Sequence, residues 1–541
     1  MRKALSTFLL IAVPALSACN SQSIGNTPGG SLLPSNLMGS RASHVRPRDT
    51  GAADLHAGGA TFPAYAYNLG SQPAGCANTT CTSGGSTPNY AQAPPGSGSL
   101  FDSYPGAGNI FYCLTGSGFG RKEFENPAGD GAGAAVAACQ PLGSAPSGFG
   151  SQQDPLDFVG SDVGMPSTEY ATYETNREAG TQGGGLGEPF QIPVIGGPIV
   201  IGYRPKDFKA ALPAGAKLQL STWTLCAIAN GTVSDWSDPA IEADNGLKSP
   251  LPAHAIRFYF RSDNSGTSFL FQTHLNATCH GTWPRPYNAA PYQGLQRNGQ
   301  PSQAGWTFGA PPTNGQWIGP GGSGGACVGG VNCPANPHFI GESGNPGVLA
   351  GVVATPLAVG YLEGGWAKGS VVSVGQALIQ NGYAGATRQM KAHAIFVDPT
   401  NSAAVAAALS GVDSTKIQYG GGSDGNPVGT SRKECLLYVP PSTFDNPPAG
   451  DYPIVGVSYL LFYSKGNGTL NSGSHYTDML ALIKYLTDAQ KATYTGGAAD
   501  TIMNNLEYTP LSASIHKAVY QAATGNFPAG PYHGNAACFA S

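Results

Sequence analysis

The segment Arg261-Ser-Asp-Asn-Ser-Gly-Thr-Ser-Phe269 constrains the fold of this chain more than any other stretch. It follows the strand-like run Ala255–Phe260 and leads into the apolar run Ser268–Leu275, which has the character of a helix. A permanently charged arginine therefore stands at a strand end, beside small residues and a new helix N-terminus. Free backbone N–H groups and the positive end of a helix dipole attract anions, and a guanidinium adds a planar fork for oxyanions. The segment predicts an anion site inside an α/β fold.

Composition limits the classes of protein that fit. The 541 residues carry a net charge of −4, and charged residues make up only 11%, against about 25% in typical soluble domains. Glycine and proline are abundant, with 78 and 44 residues, which favours a loop-rich exported protein. Without a basic surplus there is no electrostatic case for a nucleic-acid partner.

The N-terminus has the pattern of a bacterial export signal. Two basic residues precede the apolar run Ala4–Leu16, which is too short to span a bilayer. Leu16-Ser-Ala-Cys19 resembles a lipobox, so residues 1–19 are predicted to be a lipoprotein signal peptide with lipidation at Cys19. Residues 20–50 are polar and predict a flexible tether. An ordinary cleaved signal with an incidental cysteine is the alternative, and Asn20 leaves open which membrane holds the anchor.

The cysteine count points to disulfides. Without Cys19, ten cysteines remain, an even number expected of an exported protein. Cys76 with Cys81, and Cys327 with Cys333, are close enough for local loops, whereas six others are left for longer bridges of open connectivity. Since no CxxC pair or histidine-rich cluster occurs, we expect no metal site.

Apolar runs alternate with helix-like segments along the chain. Buried strands are predicted within residues 191–203, 348–361 and 452–463, and helices over Thr477–Leu486 and from Ser512 to Ala523. This alternation predicts an α/β protein. Residues 69–108 and 281–346 are rich in Gly, Pro, Asn and Ser and are interpreted as long insertions.

Three further segments have residues suited to an anion. In Ala57–Tyr65, Thr61 is a candidate helix cap ahead of Pro63. Thr115–Lys122 offers Ser117 in a glycine-rich turn, although a flexible loop is an equally good interpretation of that segment alone. A short strand ends at Asp162, whose ionised carboxylate suits an anion only if the anion carries a proton to donate.

Taken together and in order, these motifs resemble the periplasmic phosphate-binding protein of the ABC-type phosphate-uptake system. The resemblance runs from about Leu55 to the C-terminus, interrupted by the insertions, and its main motifs are Gly59–Pro63, Gly116-Ser117, Asp157–Asp162, Val194–Gly197 and Arg261–Ser268. It implies a two-lobed type II periplasmic-binding-protein fold, two α/β lobes joined by two hinge crossovers. Lobe I would comprise residues 51–195 and 452–541, and lobe II residues 196–451.

The resemblance also implies a set of ligand contacts for inorganic phosphate. They are Thr61, Phe62, Ser117, Asp162, Arg261, Ser265, Gly266 and Thr267. Asp263 would orient Arg261 without touching the ligand. The turn departs from the family pattern at Gly118-Phe119, where Ser-Gly is usual.

The implied function is extracytoplasmic capture of phosphate in an interlobe cleft and its delivery to the membrane subunits of an ABC-type permease. We expect a lipid-anchored monomer with no cofactor and no catalytic residues. Two alternatives are a phosphatase-like enzyme that uses the same cleft and a surface scaffold or adhesion protein that retained the fold. Gly321–Gly325 matches a G-x-S-x-G motif only formally, because it lies in low-complexity sequence.

Overall fold

The computed structural model describes part of the 541 residues. The described ranges are 54–70, 95–106, 108–126, 156–178, 185–247, 251, 253–279, 308–322, 337–370, 374–381, 383–384, 389–390, 395–429, 432–445, 447–465, 475–527 and 536–539. The predicted signal peptide with Cys19, the tether, and the cysteine pairs Cys76–Cys81 and Cys327–Cys333 lie outside them. Within these ranges, no helix is both long and apolar enough to cross a membrane.

Strands and helices alternate through most of the chain. The strands are β1 (Leu55–Gly59), β2 (Ile110–Cys113), β3 (Phe158–Ser161), β4 (Pro189–Tyr203), β5 (Gln219–Leu220), β6 (Arg257–Arg261), β7 (Phe339–Glu342), β8 (Ala358–Glu363), β9 (Gly375–Gln376), β10 (Leu378–Gln380), β11 (Tyr383–Ala384), β12 (Gln389–Met390), β13 (Phe396–Val397), β14 (Gln418–Tyr419), β15 (Leu437–Tyr438), β16 (Val455–Tyr463) and β17 (Thr509–Pro510).

The α-helices connect these strands and cover the sheet. They are α1 (Ala64–Asn68), α2 (Ser117–Glu125), α3 (Ser167–Tyr173), α4 (Pro205–Phe208), α5 (Thr222–Ala229), α6 (Pro239–Asp244), α7 (Gly266–Thr278), α8 (Gly344–Ala354), α9 (Gly364–Gly369), α10 (Ser402–Ser410), α11 (Tyr476–Leu486), α12 (Ala498–Asn505) and α13 (Ala513–Thr524). A π-helical turn at Glu174–Glu178 extends α3, and single 3₁₀ turns occur at Ser414–Lys416, Lys433–Cys435 and Pro441–Thr443.

Two long antiparallel strands join the halves of the main sheet. Its order is β2-β1-β3-β16-β4-β8-β6-β7. β1 is parallel to β2 and β3, and β6 is parallel to β7 and β8. β4 pairs with β16 through its first part and with β8 through Ile199–Tyr203. The α/β prediction is confirmed, and the apolar sequence of β4 is explained by burial of all its residues.

One of the predicted strands is wrong over most of its length. Residues 348–354 belong to α8, and only β8 is extended. Val348, Leu349 and Val352 are fully buried at helical spacing. A short apolar run does not distinguish a buried helix from a buried strand, whereas the helix start at Ser343-Gly344 just before the run favours a helix. The other predicted elements, β4, β16, α11 and α13, are confirmed with small shifts at their ends.

The described parts of the two predicted insertions pack into the core. In the first, Phe101 stacks on Tyr67 with ring centroids 4.6 Å apart. In the second, residues 308–322 place Trp317 among the core aromatic rings, and residues 339–342 form β7, a strand of the main sheet. The second insertion therefore ends before residue 339, because the strand pairing of β7 with β6 makes it part of the fold. The lobe boundaries themselves stay a prediction.

Two long-range disulfides staple the described chain. Cys226 on α5 bonds to Cys279 at the end of α7, and Cys435 bonds to Cys538 near the C-terminus. Both pairs have Cα atoms under 6 Å apart, the usual separation for a disulfide. The expectation of disulfides is confirmed, and these two pairings settle part of the connectivity that the sequence left open.

Removal of the Cys435–Cys538 bridge tests how strongly it stabilises the fold. The bridge closes a loop of 103 residues, so the double substitution Cys435→Ser with Cys538→Ser frees a large unfolded-state loop. We expect the free energy of unfolding to fall by about 2–5 kcal/mol, measured by urea denaturation. Unchanged stability in the double variant would show that the bridge adds nothing beyond the core packing.

Candidate anion-binding site

The four segments singled out in the sequence meet at one place. Three of them follow the carboxyl ends of the parallel strands β1, β2 and β3, and the fourth follows β6 from the other half of the sheet. The contact between them is tight. A Cβ atom added to Gly266 would lie 2.5 Å from Asp162 Cβ and 2.6 Å from Ser117 Oγ. Only glycine therefore lets the start of α7 approach the other half this closely.

Asp162 is the buried acceptor of the site. Its side chain accepts a hydrogen bond from Ser458 Oγ at 2.7 Å and another from Ser117 Oγ at 3.2 Å. Burial raises the pKa of this carboxyl group to about 6. The hydrogen bond from Ser458, the guanidinium of Arg261 and the hydrogen bond from Ser117 each lower the pKa and partly offset the effect of burial. The carboxyl group is therefore mainly ionised at neutral pH, and in that state it can only accept hydrogen bonds.

Arg261 is the cation of the site, and Asp263 holds it in place. Both oxygens of the Asp263 carboxylate accept from the guanidinium, through Nε at 2.7 Å and through Nη2. The Nη1 group donates to Thr267 Oγ1 at 3.2 Å, and Gly344 N donates to Asp263 Oδ1 at 3.0 Å. The positioning role predicted for Asp263 agrees with this fork-to-fork geometry, which fixes the guanidinium plane.

Backbone donors surround this pair of charges. Ser117 begins α2, and Gly266 begins α7 with Ser265 as its N-cap. The N–H groups of Ser117, Gly266 and Thr267 lie in first turns, where intrahelical acceptors are lacking, and none is hydrogen-bonded to another described residue. They are therefore available to an anion, whereas the Ser265 N–H donates to Gly315 O at 3.3 Å. The Ser265 hydroxyl can still donate its hydrogen to an anion, because Ser265 Oγ only accepts a hydrogen bond, from Ser268 N at 3.2 Å.

The segment after β1 is oriented by bonds to its carbonyl groups. Trp366 Nε1 donates to Thr61 O at 2.8 Å, and the Tyr508 hydroxyl donates to Phe62 O at 2.7 Å. Thr61 C=O and Phe62 N–H belong to one planar trans peptide, so they point in opposite directions. Binding of the carbonyl by Trp366 therefore turns the Phe62 N–H the other way. The N–H of Phe62 is not hydrogen-bonded to any described residue.

The predicted capping role of Thr61 is wrong. Helix α1 has Pro63 at its N-cap and no side-chain cap. Thr61 Oγ1 instead accepts from Asn345 N at 3.4 Å. The Gly-Ala-Thr-Phe-Pro turn places the threonine two residues before the cap, too early to bond the first-turn N–H groups.

Three residues of the site were not assigned a role from the sequence. Ser458 reaches Asp162 from β16, where a bulge between Ser458 and Tyr459 changes the register with β4. Asn345, fully buried, bonds Thr61 through its N–H and Thr267 through Nδ2. Arg121 on α2 donates to Ser161 Oγ at 2.9 Å. Asn345 lies in the sequence Gly344-Asn-Pro-Gly347 at the start of α8, which is a recognisable helix start, whereas nothing in the sequence around Ser458 or Arg121 indicates a role.

The arrangement suits a small oxyanion that carries a proton. One guanidinium and several N–H groups donate, and a single carboxylate accepts. A fully deprotonated anion would place one of its oxygens against the Asp162 carboxylate with no hydrogen between them. The carboxylate would then lack a hydrogen bond from the ligand, which is costly in a buried site. Within the described ranges no cluster of His, Cys, Asp or Glu could hold a metal ion.

Comparisons with known proteins point to one family. The family model described as a PBP superfamily domain matches residues 102–490. The phosphate-binding protein PstS 3 of Mycobacterium leprae is 36% identical over 142 residues, 26% of this chain and 33% of that protein. PstS 2 of Mycobacterium tuberculosis is 37% identical over 129 residues, 24% of this chain and 30% of that protein. The chain thus matches about a third of the length of these curated relatives.

A solved structure shares the fold over nearly the whole chain. The crystal structure of a phosphate-binding protein from Stenotrophomonas maltophilia superposes with a TM-score of 0.52 at 20% identity. The superposition covers 91% of this chain and 99% of that one. At this level of identity the likeness establishes the architecture alone.

Ionisation of Asp162 should make the ligand-free protein less stable. A folded-state pKa of about 6, raised from 3.8, means that the favourable protonated state exists below pH 3.8 and is lost as the pH rises through 6. Asp162→Asn removes this ionisation. At pH 7 the free energy of unfolding of the ligand-free variant should therefore exceed that of the parent protein by up to about 3 kcal/mol. The gain should vanish near pH 4. Urea denaturation at the two pH values measures it.

A suitable control is Asp413→Asn, near the surface, where hydrogen bonds from Thr415 lower the pKa of the carboxyl. This control should show no gain in stability at pH 7. Equal or lower stability of Asp162→Asn at pH 7, compared with the parent protein, would contradict the assignment of Asp162 as a buried, mainly ionised group.

Proposed function

This chain belongs to the PBP superfamily, and we propose that it is an extracytoplasmic solute-binding protein that captures inorganic phosphate at the Asp162–Arg261 site. Family membership and the shared architecture confirm the two-lobed type II binding-protein fold expected from the sequence. The names of the mycobacterial relatives and of the structural neighbour, all phosphate-binding proteins, support the choice of ligand.

One observation carries the proposal. A buried carboxylate, Asp162, lies among hydrogen-bond donors that converge with a buried guanidinium, Arg261, which is 1% exposed. Phosphate retains at least one proton at neutral pH and donates it to Asp162, while its other oxygens accept from the arginine and the N–H groups. Sulfate has no proton under these conditions, so one of its oxygens would face the carboxylate.

Each predicted residue has a role in this proposal. The N–H groups of Phe62, Ser117, Gly266 and Thr267 donate to phosphate oxygens, at two helix starts and one oriented turn. The remaining contacts come from side chains, namely Thr61 Oγ1, Ser117 Oγ, Ser265 Oγ and the Arg261 guanidinium, with the Asp162 carboxylate as acceptor. Asp263 acts on the ligand only through Arg261.

Delivery completes the proposed function. Lipidation at Cys19 anchors the protein outside the cytoplasm, and residues 20–50 give it reach. Closure of the two lobes on phosphate presents the loaded form to the membrane subunits of an ABC-type permease. The proposal has the protein acting as a monomer and assigns no catalytic step to the site.

Calorimetric titration with phosphate and with sulfate tests the function. We expect phosphate to bind at least ~100-fold more tightly than sulfate, because sulfate would leave the buried carboxylate unpaired. Asp162→Asn should lose most of that preference. Asp398→Asn, which removes a carboxylate paired with Lys217 on the surface, should retain it.

Other outcomes would favour the alternatives. Failure of the oxidised protein to bind phosphate would contradict the proposal and favour a scaffold. Turnover of p-nitrophenyl phosphate, lost with Asp162→Asn, would favour an enzyme.

A further inference from the structure

Residues 308–322, which we name the strap, are attached to one side of the site. Gln272 on α7 makes two hydrogen bonds to the strap. Its Nε2 donates to Gln316 O at 2.9 Å, and its Oε1 accepts from Ile318 N at 2.8 Å. Asn276 Nδ2 donates to Phe308 O at 2.6 Å. Trp317, 2% exposed, stacks on Phe258, Phe260 and Phe271. The strap is therefore packed onto the half of the protein that carries Arg261 and α7.

The turn Pro312–Gly315 within the strap lies directly on the start of α7. Gly315 N donates to Pro312 O at 2.8 Å and closes the turn, and Gly315 O accepts from Ser265 N at 3.3 Å. Gly315 has φ +74°, and a Cβ atom there would lie 2.1 Å from Ser265 O. The turn thus touches the backbone of a residue proposed to bind the anion, at a position that only glycine can occupy without moving it.

Arg121 connects the same turn to the opposite side of the site. From α2, its Nη2 donates to Thr313 O at 2.9 Å. Its Nη1 donates to Ser161 Oγ at 2.9 Å, and its Nε bonds Glu169 Oε2 at 2.6 Å. Since every nitrogen of this buried guanidinium has a partner and Glu169 balances its charge, Arg121 is not a second cation for the ligand. Arg121 instead joins the strap to the end of β3, which is followed by Asp162.

The strap therefore bridges both sides of the anion site within the part of the chain that the structure describes. On one side the strap contacts Ser265, which lies next to Gly266. On the other side it contacts Arg121, which lies one helical turn after Ser117. Opening the site requires the Arg121–Thr313 bond, a partly buried charge-assisted hydrogen bond, to break.

We propose that the strap is a retention latch, in which Arg121 and the Pro312–Gly315 turn hold the site closed over its anion and slow release. The inference rests on the proposed phosphate-binding function. Because the latch forms with closure, it acts on dissociation far more than on association. Loss of one charge-assisted hydrogen bond corresponds to a dissociation rate at least about tenfold faster.

Gly315→Ala tests the latch, with Gly215→Ala as its matched control. Gly215 has a closely similar φ of +79°, also in a proline-containing turn, but its added Cβ would meet no atom within 4 Å. Both variants carry the same backbone strain, and only Gly315→Ala displaces the turn from Ser265. Stopped-flow fluorescence of labelled protein gives the phosphate association and dissociation rates.

We expect Gly315→Ala to release phosphate at least about tenfold faster, with an association rate within about threefold of the parent protein. Gly215→Ala should match the parent in both rates. A folded Gly315→Ala protein that releases phosphate at the parental rate would overturn the latch and leave phosphate binding intact. Absence of phosphate binding in the parent protein would overturn the proposed function, and the latch with it.

Hydrogen exchange of the parent protein tests the latch without a substitution, should Gly315→Ala not fold. Phosphate should slow exchange at the Gly315 amide, which closes the turn that Arg121 holds through Thr313 O, by at least about tenfold. The Ile318 amide, bonded to Gln272 on the same side as α7, should change much less. Equal protection at both amides, or none at Gly315, would contradict a latch that forms on closure.

Discussion

The buried carboxylate of Asp162 is the interaction on which the rest of the site depends. It is 2% exposed and carries its charge in the interior, so the surrounding residues must supply hydrogen bonds. Ser117 and Ser458 supply two of them, from α2 and from β16. The close approach of Gly266 brings the start of α7 against the same group. Under the proposed function, a chain that tolerates this cost in its ligand-free form gains a site that distinguishes anions by whether they carry a proton.

The central strands make this arrangement possible. β4 and β16 run antiparallel through the middle of the main sheet, and β4 continues from pairing with β16 to pairing with β8. The strand ends after β1, β2 and β3 therefore face the strand end after β6 across a fixed hydrogen-bonded frame. In the proposed site, Arg261 and the start of α7 belong to one half. Asp162 and the donors of Phe62 and Ser117 belong to the other half, so closure of the two halves assembles the complete set.

Local signals in the sequence predicted the segments that meet at the candidate site. The Arg261–Thr267 segment holds a strand end, a cation, its carboxylate partner and a helix start within seven residues, so neighbours in sequence are neighbours in space. Contacts between distant residues could not be predicted in the same way. Ser458 owes its position to a bulge in β16, and Arg121 reaches a carbonyl nearly two hundred residues away. The misassigned strand over 348–354 shows that an apolar run alone does not fix the backbone conformation, and the strap shows that low-complexity flanks can enclose a packed, aromatic-anchored segment.

The central claim is that Asp162 selects an anion able to donate a proton. Monofluorophosphate tests it directly, because it matches hydrogen phosphate in charge and closely in size but has fluorine in place of the hydroxyl group. Calorimetric affinities of both anions should differ by at least ~100-fold in favour of phosphate, since the fluorine would face the buried carboxylate with no proton to give. In Asp162→Asn the difference should largely disappear. Equal affinity of the parent protein for the two anions would contradict the account.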